Sequence, residues 1–368
     1  MANLVLYRKY RPKTFSEVIG QEHIVKTITN AIVNDLLSHS YFFSGPKGSG
    51  KTTLARLLAK RINCENPQKG EPCNKCSSCL EINSGRAIDI LEIDAASNRG
   101  IDDIRELREG IKFSPTRLKY KVFIIDESHQ LSRDAANALL KVLEEPPSFV
   151  VFILATTEAH KMIPTIISRC QRFDFRKLTL SEITEKLEWI AKQEKIKIEK
   201  SAIELIAMNS EGAMRNAEVL LDQCLSLGKT TKNNLITAED IKDLLGVIDV
   251  SLVAKLINLI FQKESGEAIN FLNKSIEKGI DPSEFIKAIV DYLRQALILS
   301  ISPDLKNPIF DNLTEEVKKQ LKLQVKDLKE TDIRRALKFF LDAQNKIRYS
   351  SIPQLPIELA ILEIIGDK

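Results

Sequence analysis

The stretch YFFSGPKGSGKTTLARLLAKRI, residues 41–62, leaves the chain few ways to fold. A run of aromatic residues enters a glycine-rich loop, and the loop enters a segment of helical period. Within it GPKGSGKT, residues 45–52, matches the phosphate-binding pattern G-x-x-x-x-G-K-[ST], and a strand before and a helix after are the context that gives this pattern weight. Gly45, Gly48 and Gly50 let the backbone curl so that its amides face an anion at a helix N-terminus. Pro46, Lys47, Ser49 and Thr53 complete the candidate cradle. Lys51 is expected to reach the β- and γ-phosphates and Thr52 to ligate Mg²⁺.

KVFIIDES, residues 121–128, supplies the partner such a loop needs. An apolar strand ending in two carboxylates places Asp126 near the magnesium ion and Glu127 where it can polarise a water. Phosphoryl transfer to water requires positioning and charge stabilisation above all. Thr156 and Thr157 end another apolar strand, VVFILATT, within reach of the same phosphate if the two strands are neighbours. Arg169, in ISRCQRF, and Arg215, in EGAMRNAE, are candidate arginines for transition-state charge; singly, each reads more simply as a surface ion-pair residue.

Residues 1–178 alternate short Val-, Ile- and Phe-rich runs with amphipathic ones, which predicts an α/β domain with a parallel sheet covered by helices. From about Leu180 the strand signal stops, and helical spacing continues to the end. At 368 residues one core is too few. The expected division is an α/β domain over 1–179, a small helical domain over 180–243 and a second all-helical domain over 244–368. Net charge is +4 from 54 basic and 50 acidic residues, which neither demands nor excludes nucleic acid. The first residues lack the apolar core of a secretory leader, and no run is apolar enough to span a bilayer, so a cytoplasmic location is expected.

A reducing compartment changes the reading of CENPQKGEPCNKCSSC, residues 64–79. Cys64, Cys73, Cys76 and Cys79 form two overlapping C-x2-C units with a fourth cysteine nearby, and four thiolates suit a closed, structural Zn²⁺ site. A redox cluster or an unmetallated one are the alternatives. Cys170 and Cys224 lack partners at metal spacing and read as packed apolar groups. His23, His39 and His160 read as ordinary polar residues, and so does His129 despite following the acidic pair.

These motifs, with RKYRPKTFSEVIGQEHIV (8–25), EIDAASNRGIDDIREL (92–107), IIDESHQLSRDAANALLKVLEEPP (124–147) and SRC, resemble the gamma/tau family of bacterial DNA polymerase III subunits, the AAA+ ATPases of the sliding-clamp loader. The similarity is almost continuous over residues 1–180 and extends through GAMRNAE. The resemblance implies an AAA+ ATPase domain over 1–179 with a zinc module inserted at about 62–82, a lid over 180–243, a collar over 244–368 through which subunits pack, and an ATP-driven motor that loads the clamp on primed DNA. It implies Thr157 as sensor 1, Arg169 as a finger reaching the neighbouring subunit's ATP, and Arg215 as sensor 2. Tyr7, Arg11, Pro12, Val18 and Ile19 would wrap the adenine, with Met214 closing that pocket. Implied partners are the delta and delta-prime subunits, further copies of the same chain in a five-subunit ring, the sliding clamp and primed-template DNA. Asn98, Arg99 and Arg105 would be turned toward the DNA phosphates.

Ser128 departs from the apolar residue that relatives often carry there. The long C-terminal extension of the tau form is not seen. A branch-migration helicase would instead end in helices and a β-hairpin, and an ATP-binding scaffold would lack Lys51, Glu127 or Arg169. No polymerase constellation of acids is apparent beyond the ATPase pair, so any link to polymerase chemistry would come through the holoenzyme.

Overall fold

In the computed structural model residues 5–97, 110–111, 113–228, 235–245, 248–301 and 329–366 are described, and they fall into two compact units, Met1–Thr237 and Ala238–Lys368. The first unit opens with a short helix α1 (Leu6–Lys9) and a 3-10 turn at Phe15–Glu17. It continues through α2 (Glu22–Val33), β1 (Ser40–Ser44), α3 (Lys51–Ile62), α4 (Ser77–Asn83), β2 (Ile90–Asp94) and β3 (Lys121–Asp126). Then come α5 (Arg133–Glu144), β4 (Val150–Thr156), α6 (Pro164–Ile167) and β5 (Gln171–Asp174).

The five strands are parallel in the order β2-β3-β4-β1-β5. Every residue of β1 and β4 is buried, as expected of central parallel strands covered on both faces. Period-2 alternation sends Tyr41, Phe43, Val151 and Ile153 to one face with Ile24, Ile28, Leu54 and Leu58 of α2 and α3. Phe42, Phe123, Phe152 and Leu154 face the other way, onto Ala135, Leu139 and Leu143 of α5. The expected α/β sheet is therefore present. Its fifth strand, QRFD, is absent from the sequence expectation because only Phe173 of its four residues is buried, leaving no apolar run to detect.

After the sheet, Thr179 and Glu182 form a capping box that starts α7 (Leu180–Gln193), followed by α8 (Lys200–Asn209) and α9 (Met214–Gly228). One correction applies here. Beyond Leu180 the chain is not wholly helical, because β6 (Lys197–Ile198) pairs in parallel with β7 (Leu235–Ile236). Two-residue strands give no period to read. The second unit holds α10 (Ala238–Leu245), α11 (Val250–Phe261), α12 (Ser265–Glu277), α13 (Pro282–Ile301), α14 (Glu330–Ile347) and α15 (Leu355–Gly366). Ile257, Leu272, Phe285, Leu293, Phe340 and Ile361 form its core, and its described residues contain no strand. No helix among the described residues is long and apolar enough to cross a membrane.

Phe152 is fully buried and stacks on Phe123 with ring centroids 5.4 Å apart. Removing such a ring from a closed core costs about 3–5 kcal/mol. Phe152→Ala should therefore lower the urea midpoint of the first unit, followed by the fluorescence of the single tryptophan, Trp189, which lies on α7.

Candidate functional site

Three elements converge at the carboxyl ends of β1, β3 and β4. The loop between β1 and α3 needs left-handed backbone at Gly48 (φ 77°) and Gly50 (φ 101°), where glycine alone carries no penalty. A Cβ on Gly48 would lie 2.8 Å from the Cβ of Ala213, so this loop touches the turn that leads into α9. Lys51 starts α3, is 6% exposed, and donates from Nζ to the carbonyls of Gly45 and Pro46, each at 2.8 Å. Burial pulls its pKa down, while Glu127 and Asp126 pull it back up.

Thr52 Oγ1 donates to Asp126 Oδ2 at 2.7 Å, which brings together the two groups expected to hold magnesium. Glu127 sits in left-handed backbone (φ 47°), a conformation that is strained for a residue with a side chain. Its Oε2 accepts from the Thr157 hydroxyl at 2.9 Å and from the Thr157 amide at 3.3 Å. His129, set aside in the sequence, lies with Nδ1 3.5 Å from Glu127 Oε2 and 2.9 Å from the Thr156 hydroxyl, and with Nε2 3.4 Å from Glu158. Its proximity to the acid was visible in DESH, but not its burial. Ser128 is buried and satisfied, donating to the Ala155 carbonyl at 3.0 Å, which explains how a hydroxyl is tolerated there.

A cavity of about 200 Å³ runs from this loop toward α7 and α9. Its walls include Tyr7, Arg11, Pro12, Val18, Ile19 and Met214. Lys47 to Thr53, Asp126, Glu127 and Arg215 line it as well, whereas Gly45 and Pro46 lie beneath it as acceptors for Lys51. The Arg215 guanidinium lies 4.9 Å from the centre of the Tyr7 ring. Arg169 is not on that wall; its guanidinium donates to the Thr165 carbonyl at 2.8 Å and to Glu144 at 2.6 Å.

Sequence reading missed several groups that shape the cavity. Gln21 is fully buried, and its amide nitrogen donates to the Arg176 carbonyl at 2.9 Å, close beneath the phosphate loop at Ser49. Lys186 and Glu218 come from α7 and α9 and line the same cavity. Burial pushes the Glu218 carboxyl up to about 7, with Lys186 pulling the other way. Nothing in the local pattern distinguishes these residues from solvated helix positions. Asn98, Arg99 and Arg105 lie outside the described residues.

The four cysteines close on one point. The Sγ atoms of Cys64, Cys73, Cys76 and Cys79 all lie within 4.8 Å of one another, against a spacing of about 3.8 Å for thiolates 2.3 Å from a tetrahedral zinc ion. Backbone amides of Cys73, Lys75 and Cys76 donate to cluster sulfurs at 3.2–3.4 Å. The donor set therefore fits a closed tetrahedral ion. Bonds from the Lys75 and Cys76 amides pull Cys73 down to about 6, whereas burial pushes Cys64 and Cys79 up. Cys224 is buried, and Cys170 is half-buried and packs at the edge of the sheet core.

The cysteine loop also grips the segment that lines the cavity. Glu71, between the first two cysteines, accepts from the amides of Phe15 at 2.7 Å and Ser16 at 2.8 Å. Lys60, 3% exposed, donates to the Lys13 carbonyl at 2.8 Å, to Asn74 at 2.7 Å and to Asn83 at 2.9 Å. Val18 and Ile19 follow directly, so the cavity's apolar wall is held from the cysteine loop.

Comparison with known proteins agrees along the length of the chain. Residues 20–179 match the family model described as DNA polymerase III, delta subunit, and residues 182–230 match the DNA polymerase III clamp loader subunit, ATPase lid domain. Residues 236–367 match DNA polymerase III subunits gamma and tau domain III. The tau subunit of Bacillus subtilis is 40% identical over 99% of this chain and 63% of its own length. The tau subunit of Escherichia coli is 33% identical over 100% of this chain and 56% of its own. The chain thus spans less than two thirds of either. The gamma subunit of Buchnera aphidicola is 34% identical over 98% of both chains. With that match extending over nearly the whole of both sequences, the chain belongs to the family of DNA polymerase III gamma and tau subunits.

Proposed function

We propose that this chain is an ATP-hydrolysing motor subunit of a clamp loader, which places a sliding clamp on primed DNA with catalysis completed by a neighbouring subunit. The observation that carries the reading is the split between the site and Arg169. Lys51, Thr52, Asp126, Glu127 and Arg215 share one cavity, while Arg169 is tied to Glu144 away from it. An arginine so placed suits a second active site better than its own.

In this reading Lys51 binds the β- and γ-phosphates, Thr52 and Asp126 hold Mg²⁺, and Arg215 senses nucleotide from the lid. Magnesium when bound offsets the charge of the phosphate oxygens. Glu127 orients a water for in-line attack, and Thr157, its hydrogen-bond partner, relays the presence of the terminal phosphate. Tyr7, Arg11, Pro12, Val18, Ile19 and Met214 enclose the nucleoside. Residues 180–243 act as the lid and 244–368 as the collar of a five-subunit ring with delta, delta-prime and further copies of the chain, working in the cytoplasm. The family match of residues 236–367 and the apolar helical core there support the collar assignment.

Cys64, Cys73, Cys76 and Cys79 are assigned to Zn²⁺, which when bound ties the four thiolates into one rigid node. That node anchors Glu71 and Asn74, and through them the wall at Val18 and Ile19.

The first test is ATP turnover by the chain reconstituted with its loader partners, with and without clamp and primed DNA. Joint stimulation is expected, with a loss of about 10³-fold in kcat for Arg169→Ala while ATP binding by the variant chain is retained. Turnover indifferent to clamp and primer would overturn the reading.

A second test addresses the brace. The purified chain should carry zinc, measured by elemental analysis. Glu71→Ala should keep that zinc yet weaken ATP binding about tenfold, because two charge-assisted bonds to the wall segment are lost. Unchanged affinity would show that the wall holds itself.

A further inference from the structure

The cavity contains one acidic side chain that its surroundings leave unpaired. Glu218 lines the cavity and is 6% exposed. Among the described residues it makes no side-chain hydrogen bond and no ion pair; Lys186 attracts it only from a distance. A carboxyl group so largely shielded, with no partner from the protein, turns what remains accessible of it to the cavity and keeps its hydrogen-bonding capacity for whatever enters there.

Its place in the fold indicates what that something is. Glu218 lies one helical turn beyond Met214 and Arg215 on α9, on the same face of the helix. Ala213, at the head of that helix, is where the lid touches the phosphate loop, so moving along α9 leads away from the phosphates. The walls there are Pro12, Val18, Ile19 and Leu178, apolar surfaces suited to a flat heteroaromatic ring. Lys186 completes the polar end from α7, its ammonium 4.3 Å from the centre of the Trp189 ring.

We propose that Glu218 reads the base, its carboxyl oxygen accepting a hydrogen bond from the exocyclic amino group of adenine. This deepens the nucleotide reading given above and rests on it. Adenine presents a donor at C6, which satisfies an oxygen with no other partner. A purine with a carbonyl at C6 sets acceptor against acceptor and leaves the carboxylate both buried and unpaired. Lys186 balances the carboxylate electrostatically without occupying it. Glu218 is thus a specificity residue for the base, separate from the groups that handle the phosphates.

The test is calorimetric binding of three triphosphates with Mg²⁺ at pH 8 to the wild-type chain, Glu218→Leu and Glu218→Gln. The nucleotides are ATP, inosine triphosphate and purine riboside triphosphate, which has hydrogen at C6. The wild-type chain should prefer ATP to the purine analogue about tenfold, and Glu218→Leu should abolish that preference. Glu218→Gln, whose amide offers both donor and acceptor, should narrow the gap between ATP and inosine triphosphate. Neither variant adds a buried charge, and thermal melts check folding. A merely structural role would move all three affinities together, so ratios unchanged from wild type would overturn the inference. If the wild-type chain bound none of the three, the nucleotide reading would itself fail, and this inference with it.

Discussion

The contact between Gly48 and Ala213 is the constraint on which the site depends. The phosphate loop and the head of α9 approach so closely that a single added methyl group would collide, so the loop has little room to move toward the helix unless the helix head gives way. The family match assigns residues 182–230 to the ATPase lid, and α9 begins within them. A change at the phosphates therefore has a direct steric route to the lid. Arg215 strengthens that route, because it is the second residue of α9 and packs over Tyr7 of the N-terminal segment.

The N-terminal segment is held from both sides. Tyr10 donates to Glu194 of the lid region at 2.5 Å and meets Trp189 edge-on at 5.5 Å, while Lys13, Phe15 and Ser16 are gripped by Lys60, Asn74 and Glu71. A cavity wall built from this segment inherits the rigidity of the cysteine loop at one end and the position of the lid at the other. This gives the cysteine cluster a purpose inside its own chain. The Zn²⁺ proposed for the four thiolates would keep this long loop in one conformation where the segment between Cys64 and Cys73 supplies little apolar core.

What could be read in advance followed from how locally each feature is written. GPKGSGKT, the acids ending KVFIIDE and the C-x2-C pairs are short patterns whose chemistry depends on near neighbours, and the structure brings each set together. The three interior strands β1, β3 and β4 are legible because burial on both faces leaves a continuous apolar run. β5 and the β6–β7 pair were not, since an edge strand with one buried residue and a pair of two-residue strands carry no period. Gln21, Lys60, Glu71 and Glu218 were invisible for another reason. Each gains its meaning from a partner or cavity wall supplied by a distant part of the chain, and in sequence each resembles any solvated polar residue. The burial of His129 has the same origin: its 4% side-chain exposure comes from packing, which DESH does not encode.

The resting contacts of Arg169 bear directly on the trans role proposed for it. Its partner Glu144 is half exposed and the guanidinium itself one-third exposed, so the pair is a surface ion pair worth roughly 0–1 kcal/mol. Letting go of Glu144 therefore costs little. A terminal phosphate in a site that excludes water, with its multiple negative charge, offers far more. An arginine locked in a buried pair could not make that exchange without leaving an uncompensated charge behind. The trans role proposed for Arg169 thus needs a resting partner strong enough to orient the side chain and weak enough to release it. An exposed carboxylate, with the Thr165 carbonyl beside it, meets both conditions that the proposed role sets.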